Sequence, residues 1–137
     1  MNKIEILENG QEKKVLIVDD DPVTLALLEK IFLSDGYWVA KAANGKDALY
    51  IADEFSPDVI ILDIMMPVMD GTETIEFLEK NPRTKNIPVL FLTSLISKGE
   101  ESSKFDSNRC FLAKPIEKAK LLKEVERWIE GPSIKLK

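Results

Sequence analysis

Four short runs in this 137-residue chain are apolar almost without interruption: KVLIV at 14–18, DVIILD at 58–63, IPVLFLTS at 87–94 and RCFLAK at 109–114. A strand with one wet face alternates apolar and polar residues. A strand that is apolar throughout must be covered on both faces, which is the condition inside a parallel sheet flanked by helices. A fifth, more mixed run, YWVAKA at 37–42, is also strand-like.

Helical patterns fill the gaps. PVTLALLEKIFLSDG repeats Leu25, Leu28, Ile31 and Phe32 on one face and stops at Gly36, with Pro22 suited to a first helical turn. Asn44-Gly45 marks a turn, and KDALYIADEF then puts Ala48, Ile51, Ala52 and Phe55 on one face. GTETIEFLEKN carries Ile75 and Leu78, and SKGEESSKFD is read as a fourth helix with few apolar anchors. PIEKAKLLKEVERWIEG is read as the last helix, with Ile116, Ala119, Leu122, Val125 and Ile129 inward and Trp128 spaced with Leu121 and Val125. Five β-α units follow, with right-handed crossovers. Residues 13–131 form the domain, 1–12 a leader and 132–137 a tail.

Composition narrows the function. The net charge of −5 offers no basic face for nucleic acid, and no apolar run approaches the length that spans a bilayer. There is no histidine, and Cys110 is the only cysteine, so histidine catalysis, histidine ligation and an internal disulfide are excluded. The simplest location is the cytoplasm.

In an open parallel α/β sheet, ligands bind beyond the carboxyl ends of the strands. The first run ends at Asp19, Asp20 and Asp21, the run at 58–63 ends at Asp63, IPVLFLTS ends at Thr93 and Ser94, and RCFLAK ends at Lys114. Two carboxylates about 4 Å apart repel by roughly 4 kcal/mol at an effective dielectric near 20, so such a cluster needs a cation or a proton. Hard oxygens without imidazole or thiolate suit Mg²⁺. With Lys114 and a hydroxyl nearby, the set suits a phosphoryl group attacked by one of the carboxylates. Asp21 is read as a helix N-cap and not a ligand.

VLIVDDDP, DVIILDIMMPVMDG, IPVLFLTS and FLAKP together resemble the receiver domain of bacterial two-component response regulators, the CheY-like family, over about residues 13–130. The resemblance implies a flavodoxin-like (βα)5 doubly wound, five-stranded parallel sheet in the order 2-1-3-4-5. It implies that Asp63 accepts a phosphoryl group from a histidine kinase or phosphotransfer protein. Asp20, Asp63 and the backbone carbonyl of Met65 would ligate Mg²⁺, with Asp19 holding it through water. Thr93 and Lys114 would bind phosphoryl oxygens, and Met66, Pro67, Asp70 and Gly71 would shape the loop after Asp63. The Lys114-Pro115 step matches one that is often cis. Thr93 would move toward the phosphoryl group and Phe111, where many relatives carry tyrosine, would follow it. The face of the fourth helix, fifth strand and fifth helix would then be read by an effector, an output domain or a second copy.

Met65 and Leu95 stand where relatives flank the hydrolytic water, and both are apolar, which leads us to expect slow self-dephosphorylation. Two other readings, one an enzyme and one a binding module, are weaker. A dehalogenase-type phosphohydrolase would need a second acid in Asp63-Ile64-Met65, and a nucleotide-binding module would need a glycine-rich loop after the first strand. A receiver fragment of a longer regulator, with DNA-binding or cyclic-dinucleotide output, is the other reading.

Overall fold

Strand β1 (Lys14–Val18) is an interior strand, with Val15, Leu16, Ile17 and Val18 all essentially inaccessible. The computed structural model describes residues 13–64, 69–94, 102–106 and 109–130. Helix α1 (Pro22–Ser34) follows at once, because Asp21 caps it by accepting from the Val23 N–H. The chain leaves α1 through Gly36 at φ 89°, a conformation that favours glycine. Strand β2 (Trp38–Ala42) leads to Asn44, which caps α2 (Gly45–Phe55). Strand β3 (Val59–Asp63) is buried at every position. Asp70 caps α3 (Gly71–Lys80), and β4 (Val89–Thr93) is again wholly buried.

The remaining elements are β5 (Ser102–Asp106), β6 (Arg109–Ala113) and α4 (Lys118–Glu130). The sheet order is β2-β1-β3-β4-β6-β5. The pairs β1-β2, β1-β3, β3-β4 and β4-β6 are parallel, so the five parallel strands have the expected 2-1-3-4-5 order.

The sheet nevertheless has six strands, not five. Residues 102–106, read from sequence as part of a helix, form a strand antiparallel to β6, with a register irregularity between Ser102 and Asp106. The stretch lacks the 3.6-residue apolar repeat that would anchor a helix, and β6 has an open edge whose backbone groups need partners. An antiparallel ribbon meets that need locally. The rest of the expected fourth helix, the leader and the tail lie outside the described residues.

Both faces of the sheet are covered. One layer joins Val15, Ile17, Leu28, Phe32, Leu90, Leu112, Leu121 and Val125; the other joins Leu16, Val18, Ala48, Ala52, Ile60, Leu62, Ile75 and Phe91. Of the residues expected inward near the last helix, Val125, Ile116, Leu122 and Ile129 meet the core and only Ala119 does not. Leu121 and Val125 are its buried residues, Trp128, Leu122 and Ile129 pack partly against the core, and Ala119 is exposed. Leucine brings more apolar area to the sheet than alanine, and Leu121 takes the inward position.

Candidate functional site

Register assembles the site. Val18 pairs with Leu62, so the next residues, Asp19 and Asp63, emerge side by side at the carboxyl ends of β1 and β3. Thr93 pairs with Ala113, and the Lys114 N–H donates to the Thr93 carbonyl at 2.9 Å. Four strand ends thus deliver Asp19, Asp63, Thr93 and Lys114 to one edge.

Asp19, Asp20 and Asp63 each offer an oxygen, and the three atoms lie within 4.8 Å of one another. Asp19 is 2% exposed and Asp63 8%, while Asp20 is open to solvent. Buried carboxylates at this spacing call for positive charge, and Lys114 supplies some. Its Nζ donates to Asp19 Oδ2 at 3.0 Å and lies 3.7 Å from Asp63 Oδ2. Burial pulls the Lys114 pKa down, but the hydrogen bond to Asp19 and the charges of Asp19 and Asp63 outweigh it, and the value is raised. The Lys114-Pro115 peptide is cis.

Three carboxylate oxygens with no imidazole or thiolate suit a hard divalent cation. Carboxylate oxygens within 4.8 Å of one another are near enough for Asp19, Asp20 and Asp63 to share one Mg²⁺ ion. The donor set fits.

Asp21 stands apart from the cluster. Its side chain accepts from the Val23 N–H and the Thr24 hydroxyl, both at 3.0 Å, and these bonds hold its pKa below the ordinary carboxylate value. Its backbone N–H donates to Asp19 Oδ1 at 2.9 Å, which aims that carboxylate. Asp70 is likewise a cap: it accepts from the Glu73 N–H and the Thr72 hydroxyl, and its pKa is lowered. Gly71 closes the loop with an N–H to the Ile64 carbonyl at 2.9 Å. Met65, Met66, Pro67 and Leu95 lie outside the described residues.

Phe111 is half-buried and meets the ring of Phe91 edge to face, at 5.0 Å between centroids and 73° between planes. Sequence reasoning did not single out Phe91. Its only signal was its place two residues before Thr93, on the same face of one strand.

The comparisons agree with this geometry. The family described as the response regulator receiver domain matches residues 15–126. Response regulator PleD of Caulobacter vibrioides is 37% identical over 113 residues, which is 82% of this chain and 25% of PleD. The chain therefore spans about a quarter of that relative's length. Protein PilH of Pseudomonas aeruginosa is 34% identical over 122 residues, 86% of this chain and 98% of PilH. The receiver domain of sensor histidine kinase PA1611 from Pseudomonas aeruginosa, solved with a magnesium ion in its active site cleft, aligns with TM-score 0.76 and 30% identity over 88% of this chain and 99% of that one. The chemotaxis protein CheY4 of Vibrio cholerae aligns with TM-score 0.74 and 35% identity over 85% and 98%. With strand order, acidic cluster and family match in agreement, the chain belongs to the response regulator receiver domains, the phosphorelay modules of two-component signalling.

Proposed function

We propose that Asp63 is the phospho-acceptor of a Mg²⁺-dependent switch that takes its phosphoryl group from a histidine kinase or phosphotransfer protein. The observation that carries this reading is the convergence of Asp19, Asp20 and Asp63 within 4.8 Å, with Lys114 between two of them. An Asp63 oxygen attacks the donor's phosphorus, the P–N bond to the donor imidazole breaks, and an acyl phosphate forms. Lys114 turns from the carboxylates toward a phosphoryl oxygen, and the Thr93 hydroxyl donates to another. Asp19 and Asp20 would hold Mg²⁺ with Asp63, and the Met65 carbonyl is the further ligand that the family pattern implies. When bound, the ion supplies neutralising charge for the phosphoryl oxygens. The chemistry is confined to the protein's own carboxylate, as in a switch and not a turnover enzyme.

The protein donor needs a surface to dock on. Helix α1 starts beside the acids and keeps Val23 74% and Leu27 47% exposed, an apolar stripe suited to a helical partner. Among the described residues no helix is long and apolar enough to cross a membrane, and the cytoplasm, where such kinases present phosphohistidine, is the proposed location. Downstream, an effector, an output domain or a second copy reads the side of the sheet that carries Phe111. The match to a quarter of PleD favours, as a second reading, a receiver that controls an attached output domain.

The test is intact mass after incubation with acetyl phosphate, with Mg²⁺, with EDTA, and in Asp63→Asn. One phosphoryl adduct that requires both Mg²⁺ and Asp63 is the expected result. An adduct that persists in Asp63→Asn would overturn the assignment.

A further inference from the structure

Resting on that reading, we propose that Phe91 is a positioning residue that carries the state of the Asp63 loop to Phe111 by a route through the core separate from Thr93. Three contacts in series support it. The Gly71 N–H bonds the carbonyl of Ile64, the residue after Asp63, at 2.9 Å. A Cβ at Gly71 would sit 2.8 Å from Ile64 Cα, 3.2 Å from the Asp63 carbonyl oxygen and 3.2 Å from Phe91 Cε1. The missing side chain therefore lets the acceptor loop, the start of α3 and the edge of the Phe91 ring come together at one point. From there Phe91, 3% exposed, reaches its direct cross-strand partner Phe111 in an edge-to-face pair.

The packing leaves Phe91 little freedom. It is buried in the layer with Leu62, Ile75 and Val89, while Phe111 is only partly buried at that layer's margin. A movement of the loop after Asp63 presses on a ring buried among these side chains, and the partner with more room to respond is the partly buried outer ring. Edge-to-face geometry makes the response directional, because sliding the rings out of their arrangement loses the attraction between edge and face. Phe91 thus holds Phe111 at rest and transmits the displacement when Asp63 is modified.

The experiment uses the whole chain labelled with fluorophenylalanine, whose six phenylalanines give six fluorines. Phe111→Leu identifies the Phe111 signal. Its H₂O/D₂O isotope shift reports solvent exposure, independent of neighbouring ring currents. In the unphosphorylated protein, Phe91→Leu is expected to increase that exposure, and Phe91→Met, whose thioether keeps some contact with a ring edge, to do so less. Tyr37→Leu breaks the chemically similar pair with Phe32 in the other core layer, at 5.1 Å, and should leave Phe111 unchanged. The same variants are then phosphorylated with acetyl phosphate. The wild-type change in Phe111 exposure should shrink in Phe91→Leu, with the ratio of the two Phe111 positions altered roughly 2- to 12-fold, the range such ring pairs supply.

Equal effects of Phe91→Leu and Tyr37→Leu on Phe111, or none from Phe91→Leu, would overturn the proposal. An adduct on the wild type with no change at Phe111 would overturn the relay and leave the acceptor standing. Absence of any adduct would strike the acceptor, and the comparison in the unphosphorylated protein would still decide whether Phe91 holds Phe111.

Discussion

Lys114→Met removes the one cation placed between Asp19 and Asp63 among the described residues, and its cost can be worked from two distances. At 3.0 and 3.7 Å and an effective dielectric near 20, the gross attractions are about 5.5 and about 4.5 kcal/mol. The penalty for burying the ammonium offsets most of this, and removing one partner of a fully buried pair costs roughly 3–5 kcal/mol. The Lys114 side chain is 23% exposed, so water recovers part of the loss, and the expected destabilisation without metal is about 2 kcal/mol. Urea unfolding in EDTA at neutral pH should show a midpoint lower by about 1 M. Millimolar Mg²⁺ should then restore more stability to the variant than to the wild type, because carboxylates stripped of their lysine bind a cation more tightly. The pH dependence has a definite sign. The Lys114 pKa is raised on folding, so its contribution is full below its ordinary value of 10.5 and lost as pH rises through the higher folded value. Coincident unfolding curves in EDTA, or equal gains from Mg²⁺, would refute the account of Lys114 as the cluster's built-in counter-charge.

Other outcomes are open to direct test. Val23→Glu with Leu27→Glu should slow phosphoryl transfer from a kinase by about tenfold, since a charge placed in an apolar contact costs on the order of 1–2 kcal/mol, while the rate with acetyl phosphate stays unchanged. Gly45→Ala would place a Cβ 2.1 Å from Thr74 Oγ1 and 2.8 Å from the Met69 carbonyl oxygen; thermal unfolding should report a loss of about 1–3 kcal/mol. The phosphoaspartate should decay over minutes or longer, because Met65 and Leu95 offer no polar group to orient water. Decay within seconds, followed by intact mass, would contradict that.

The four apolar runs determined most of this protein by themselves. A strand that is apolar at every position has to be buried on both faces, and that local property called for a parallel sheet with helices on either side. The acids, hydroxyl and lysine at the ends of those runs were legible for the same reason, since a parallel sheet brings all its carboxyl ends to one edge. Other features depended on partners distant in sequence. Residues 102–106 carry too little apolar pattern to choose helix or strand alone, and the open edge of β6 made the choice. Leu121 and not Ala119 faces the core because the sheet surface selects the phase of the helix that covers it. Phe91 meets Phe111 only because β4 and β6 are neighbours in register, although 20 residues separate them along the chain. Periodicity is written locally and can be read locally, whereas register and contact between elements are settled by packing, which exists only once the chain is folded.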